Sequence, residues 1–219
     1  MDHIKGLRHG PLSRSAAHLC IDMQRLFADD SPWASDAVRT ALPAAAEICR
    51  FKAEQTIFTR FICPRETTGV MGQWRRFYDQ CPQLLSLDPR LFDVVPELAR
   101  FMGDNATIVS RLVFSAFHDG ELHALLRRRS VDTLVFSGVE TDVCVLATAL
   151  AAIDIGYRVV VVEEGVASSN RTGHQAAMTG IFPRFDQQVE LVGAAELLAR
   201  WSRTDDQQIR RQTVGSNSV

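Results

Sequence analysis

"DTLVFSGVETDVCVLATALAAIDIGYRVVVVEE", residues 132 to 164, opens with an apolar, β-branched run from Thr133 to Val139 and closes with a second from Arg158 to Val162. Between them "DVCVLATALAAIDIG" reads as a helix. Strand, helix and strand in about thirty residues make a βαβ unit, in which the two strands run parallel. The run "RVVVV" is apolar without alternation, as a strand covered on both faces should be. At the junction of the first strand and the helix lies "GVETDVC", which sets Glu140, Thr141, Asp142 and Cys144 where a buried strand ends.

The same grammar extends outward in both directions. "SAAHLCIDMQRLF" contains a short buried strand, about Ala17 to Ile21, ending at Asp22. A helical pattern follows from Ser35/Asp36, with Pro43 inside it, where a kink or a late start is expected. "QTIFTRFICP" is a second strand, closed by Pro64. "NATIVSR" reads as a strand, "DGELHALLRRRS" and "RTGHQAAMTGIF" as helices, and "QQVELV" as a last or edge strand. Strands alternating with helices predict an α/β fold: a single domain with a mostly parallel sheet and helices on both faces, in a Rossmann-like three-layer arrangement. Residues 65–95 stand apart, dense in aromatics (Trp74, Phe77, Tyr78, Phe92) and punctuated by Gly and Pro. They read as an elaborated loop with short helical turns, of the kind that serves as a lid or binding loop. The expected organisation is a leading segment 1–15, a domain 16–202 and a polar, flexible tail 203–219.

The totals narrow the classes. The chain has 219 residues, 46% of them hydrophobic and 23% charged, with formal net charge -2 and pI near 6.3. One α/β domain fits that length, and nothing in the charge favours nucleic acid or an anionic membrane as partner. No apolar run is long enough to span a bilayer, and the N-terminus shows no apolar signal core. The five cysteines form no CxxC pair; free thiols in a reducing, cytoplasmic setting are expected. The six histidines are scattered, with only His118 and His123 near one another, so no metal is expected.

In an open α/β sheet ligands bind beyond the carboxyl ends of the strands. The polar residues expected at that rim are Asp22, Arg60, Cys63, Arg111, the Glu140–Cys144 group, Glu163 and Glu164. Asp22 reads equally as a helix cap, Arg111 as a surface charge and Cys144 as a small buried residue. The functional reading joins Asp22, Arg111 and Cys144 as acid, cation and thiol at one rim. Cys144 falls in the first turn of a helix, where free N–H groups and the helix dipole lower a thiol pKa and can hold an oxyanion.

"CIDMQ", "VFSAF" and "GVETDVCVLATALAAIDIGYRVVVVEE" strongly resemble the isochorismatase-like cysteine hydrolases, over roughly residues 16 to 200. The resemblance implies a parallel sheet flanked by helices, Asp22 as catalytic aspartate and Cys144 as nucleophile. It also implies a cis peptide at Val139–Glu140 and an oxyanion hole made by the backbone N–H groups of Glu140 and Cys144. The family's catalytic lysine lies six residues before the Phe of "SAF", and here that residue is Arg111. The only lysines are Lys5 and Lys52. Arginine keeps the charge but is bulkier and does not release a proton. Nicotinamidases of the family carry an Asp-x-His and a further His on a metal after the second strand; "TRFICPRETTG" has none.

The expectation is therefore cysteine-dependent hydrolysis of a C–N bond in a small amide, lactam or carbamoyl compound through a thioester. No cofactor is expected. Trp33, Trp74, Phe77, Tyr78 and Phe117 are the candidate pocket walls for a small-molecule substrate. Two alternatives stand beside it: vinyl-ether hydrolysis of the isochorismatase type, which does not need the thiol, and a catalytically silent protein in which Arg111 is the inactivating change. A homo-oligomer is implied by the resemblance alone.

Overall fold

The computed structural model describes residues 5–202. The polar tail expected at 203–219, like residues 1–4, lies outside the described residues. Six strands, β1 (Ala16–Ile21), β2 (Thr56–Phe61), β3 (Thr107–Arg111), β4 (Thr133–Val139), β5 (Arg158–Ala167) and β6 (Val189–Val192), form one sheet in the order β3-β2-β1-β4-β5-β6. Every pairing is parallel. The helices are α1 (Arg25–Ala28), α2 (Ala37–Phe51), α3 (Gly72–Gln80), α4 (Pro96–Ala99), α5 (Glu121–Arg128), α6 (Leu146–Ile155), α7 (Arg171–Gln175) and α8 (Ala194–Arg200).

Period two along each strand sends alternate side chains to opposite faces. Leu19, Ile21, Leu134, Phe136, Val159 and Val161 pack on one side with Leu122 and Leu126 of α5 and Ala149 of α6. Val135, Val160 and Val162 face the other way, against Ala44 and Ile48 of α2 and Leu197 of α8. That division produces three layers. Pro43 neither delays nor ends α2, which runs unbroken from Ala37. Among the described residues no helix is long and apolar enough to cross a membrane.

Two expectations need correction. The 65–95 segment is not loop throughout: α3 is a regular helix, followed by short 3-10 turns at Pro82–Ser86 and Pro89–Phe92. Its aromatics sit at helical spacing, but glycine and proline on either side disguise the pattern. Strand β5 runs to Ala167, so Glu163 and Glu164 lie within it rather than at its end. The register explains the added length: Phe136 pairs with Val161 but Gly138 pairs with Val166, so β5 carries a bulge opposite Ser137. The carboxyl rim of β5 is thus Ser168 and Ser169. Residues 5–15 of the leading segment dock on the domain. Leu7 and Leu12 are buried, Leu12 bridges Trp201, and the Gly6 N–H donates to the Leu191 carbonyl.

The strand order reverses direction between β1 and β4. There the connections leave toward opposite edges and a crevice opens at the carboxyl ends.

Candidate active site

Asp22 and the Val139–Glu140 turn face one another across that crevice. Chain reversal after β1 puts Asp22 in the left-handed region, at φ 49°, which an aspartate tolerates better than most residues. Its carboxylate is fully buried. Oδ1 accepts from Thr59 Oγ1 at 2.7 Å and from Arg111 NH1 at 2.7 Å; Oδ2 accepts from Arg111 NH2 at 2.6 Å. The Asp22 N–H in turn donates to Thr59 Oγ1 at 3.2 Å.

Arg111 ends β3, two strands away from β1, and its guanidinium is committed. Beyond the forked pair with Asp22, its Nε and NH2 donate to the Phe114 carbonyl at 3.3 and 3.0 Å. Arg111 and Asp22 side chains are 2% and 0% exposed. A fork-on-carboxylate contact of this kind is both strong and orienting, and a lysine has no equivalent geometry. Burial works against the guanidinium charge, but Asp22 and the neighbouring Cys144 outweigh it and hold its pKa above the ordinary value.

Opposite them, the Val139–Glu140 peptide is cis. Gly138 precedes it at φ +116°, and a Cβ there would stand 1.9 Å from the Ile21 carbonyl oxygen. β1 and β4 approach so closely at this point that glycine is required. The chain then winds through a π turn, Thr141–Val145, before α6 begins at Leu146. The Glu140 carbonyl accepts from both the Val143 and Val145 N–H groups at 3.1 Å. So Cys144 sits in a π turn, not in the first turn of an α-helix, a local irregularity frequent at functional sites.

The thiol's electrostatics also differ from the sequence expectation. Cys144 is 6% exposed. Burial pushes its pKa well above the ordinary value and the Asp22 charge pushes the same way; Arg111 pulls it down without overcoming them. Folding thus favours the protonated form of the Cys144 thiol. Oδ2 of Asp22, with a single donor, keeps acceptor capacity for that proton.

The turn is braced from the rim of β5. Glu140 accepts from the Ser169 N–H at 3.1 Å and from its hydroxyl at 2.7 Å. Asp142 accepts from Ser168 Oγ at 2.6 Å, and its carboxylate fills the place a Cβ of Gly173 would take. Thr141 Oγ1 pairs with His174 Nδ1 at 3.0 Å. Gln24, just past β1, donates to the Phe61 and Phe92 carbonyls at 3.0 Å and accepts from the Phe61 N–H at 2.8 Å, tying the crevice to the 65–95 segment.

A cavity of about 950 Å³ opens above Cys144 and Glu140. Trp33, Trp74 and Phe77 line it as the sequence suggested, joined by Phe61 and Phe114. Tyr78 and Phe117 are not among its lining residues. Tyr78 points inward beneath Trp74, 1% exposed, where burial and Cys63 push its phenol up. Phe117 packs in the core below, stacked on Tyr157 at 6.0 Å. Asp22 and Arg111 lie behind the thiol, so of these three only Cys144 lines the cavity. Arg60 and Cys63 do not line it either; Arg60 turns to Ser110 and Asp93. Among the described residues no group of three or more His, Cys, Asp or Glu gathers in a way that could hold a metal ion.

Sequence reasoning missed Thr59, Gln24, Ser168, Ser169 and His174. Thr59 carried a signal, being a hydroxyl in an otherwise apolar strand; the others owe their roles to proximity in space.

A model of the isochorismatase domain matches residues 16–192. Among curated proteins the chain is 40% identical over 75 residues to an uncharacterized isochorismatase family protein, PncA, of Bacillus subtilis, covering 34% of this chain and 41% of that protein. It is 27% identical over 176 residues to nicotinamidase 3 of Arabidopsis thaliana, covering 80% of this chain and 84% of that one. For the Bacillus protein and two other curated relatives, the match spans less than half of the relative's length. Among solved structures, an isochorismatase family protein from Desulfovibrio vulgaris superposes with TM-score 0.71 at 24% identity, over 84% of this chain and 96% of that one.

Proposed function

The chain belongs to the isochorismatase family, and from that membership we propose that it is a cysteine-dependent amidohydrolase. The observation that carries the reading is the thiol of Cys144 at the floor of the cavity, backed by the buried Asp22–Arg111 pair. Similarity to a plant nicotinamidase over most of both chains supports amide hydrolysis as the reaction class. The missing histidines after β2 argue against nicotinamide itself as substrate.

In this mechanism Cys144 Sγ attacks the amide carbonyl carbon while its proton passes to Asp22, so no free thiolate is needed at rest. The carbonyl oxygen takes up negative charge and is held by the backbone N–H groups of Glu140 and Cys144. Collapse of the tetrahedral intermediate breaks the C–N bond, and Asp22 returns the proton to the departing nitrogen. A thioester remains on Cys144. Water then attacks it, giving a proton to Asp22; the C–S bond breaks, the acid leaves, and the thiol recovers its proton. Arg111 is a positioning residue. It fixes the Asp22 carboxylate and balances its charge through each transfer. Vinyl-ether hydrolysis is not favoured, because it leaves the buried, cavity-facing thiol without a task.

The test is ammonia release from a panel of primary amides, ureas and carbamoyl amino acids by wild type and Cys144→Ala. Thiol-dependent release is expected, with Cys144→Ala at least about 1,000-fold slower, as loss of a covalent nucleophile implies. Turnover that survives in Cys144→Ala would rule the covalent route out.

A further inference from the structure

The cavity's walls and its charge together narrow the substrate further. Trp33 and Phe77 stack at 6.3 Å, Phe61 meets Trp33 edge-on at 5.7 Å, and Trp74 closes on Phe114 at 4.9 Å. These rings come from four separate stretches of chain and converge above Cys144. Among the described residues Glu140 is the one carboxylate on the cavity surface, and neither lysine nor arginine lines it. Arg111 offers no compensation, since its guanidinium lies behind the thiol, 2% exposed, and is bonded to Asp22 and the Phe114 carbonyl. At about 950 Å³ the space lies near the upper end of ligand pockets, which run roughly from 300 to 1,000 Å³.

From this the geometry points to an amide whose bulk is a flat, apolar group of more than one ring and which carries no anionic group. The aromatic walls offer stacking surfaces to such a body. A carboxylate entering the same space would shed water against apolar rings and face Glu140 with no lysine or arginine to pair with. Gln73, Ser115 and His118 supply hydrogen-bonding groups at the wall without positive side chains of the Arg or Lys kind. The assignment rests on the amidohydrolase reading for the bond that is cut, while the class of molecule admitted can be read by binding alone.

The experiment is therefore equilibrium dialysis on Cys144→Ala, which cannot turn the probes over, with 2-naphthamide, 6-carbamoyl-2-naphthoate and acetamide. 2-Naphthamide is expected to bind at least tenfold more tightly than either of the others. Trp33→Ala and Trp74→Ala, each combined with Cys144→Ala, should weaken 2-naphthamide by fivefold or more. Glu140→Gln in the same background should shrink the gap between the matched pair at least threefold. Equal or tighter binding of the carboxylate, equal binding of acetamide, or no binding of 2-naphthamide up to its solubility limit overturns the assignment. Ammonia release by wild type from the same amides answers a different question. If the binding order holds and no Cys144-dependent release is seen from any amide, the amidohydrolase reading falls and the admitted class stands.

Discussion

Arg111 does at this site what an ammonium group cannot. Two guanidinium nitrogens engage the two oxygens of Asp22 separately, while Nε and NH2 also donate to the Phe114 carbonyl. One side chain thus fixes the carboxylate and the start of the loop that walls the cavity. Beside that pair the thiol is electrostatically simple: burial and Asp22 raise its pKa, Arg111 lowers it. An unperturbed thiol is half thiolate at about pH 8.5 and gains only about twofold more reactivity above it. Alkylation of Cys144 by iodoacetamide, followed by mass spectrometry of its peptide, should instead keep accelerating beyond about pH 10. In Arg111→Gln the profile should move to still higher pH, because the group that favours the thiolate is gone. A plateau by about pH 10 in wild type, where an unperturbed thiol levels off, or a downward move in the variant, would refute this account of the thiol. The sign for stability follows. A thiol whose pKa is raised by folding adds stability below its unfolded pKa, and that contribution is lost as pH rises from there toward the folded value. Removing one partner of a buried pair also costs about 3–5 kcal/mol, so Arg111→Gln should melt well below wild type.

At the scale of elements, the site is a meeting of two strand ends and one turn. Gly138 lets β4 lie against the Ile21 carbonyl, and the π turn then carries Cys144 toward Asp22. Gly138→Ala puts a Cβ into backbone that has no room and into a φ that suits only glycine. The expected cost is about 3 kcal/mol or more, together with loss of turnover in whatever folds. Gly103→Ala is the matched control, since a Cβ there meets nothing within 4 Å. Thermal unfolding of both variants decides it: a Gly138→Ala protein as stable as wild type would mean that the close approach of β1 and β4 yields easily. α3 makes a complementary point. Its Trp74 and Phe77 reach the cavity while Tyr78 anchors the helix from beneath, a division set by helical spacing once the helix exists.

For the whole molecule, the domain is sealed by its own leading segment. Leu12 bridges Trp201, whose indole N–H donates to the Ser13 carbonyl at 3.2 Å, and both Leu12 and Trp201 are buried. The contact joins residues 188 apart in sequence and lies beside α2 and α8, far from Cys144 in the fold. Trp201→Ala should lower stability by about 3–5 kcal/mol in urea unfolding while leaving KM for any substrate unchanged. A variant that keeps full stability would show that residues 5–15 merely rest on the surface.

How much of this was legible beforehand differs by kind of feature. Period-two and period-3.6 patterns are local, so the parallel α/β fold, its strand sequence and the placement of Asp22, Arg111 and Cys144 at strand ends could be read from residues 132 to 164 and their neighbours. The "GVETDVC" turn was legible as a candidate site because polar residues at the end of a buried strand need a reason. What depended on distance in space was not. The bulge that lengthens β5, and with it the role of Ser168 and Ser169, arises from pairing between two strands. The raised pKa of Cys144 comes from burial, which no residue carries in its own identity. The sequence by itself determined that Asp22, Arg111 and Cys144 stand at or just past strand ends, because chain periodicity assigns them there. Only the tertiary structure decided that Arg111 is spent on Asp22 and that, among the described residues, neither lysine nor arginine reaches the cavity, because those facts are made by packing between segments far apart in the chain.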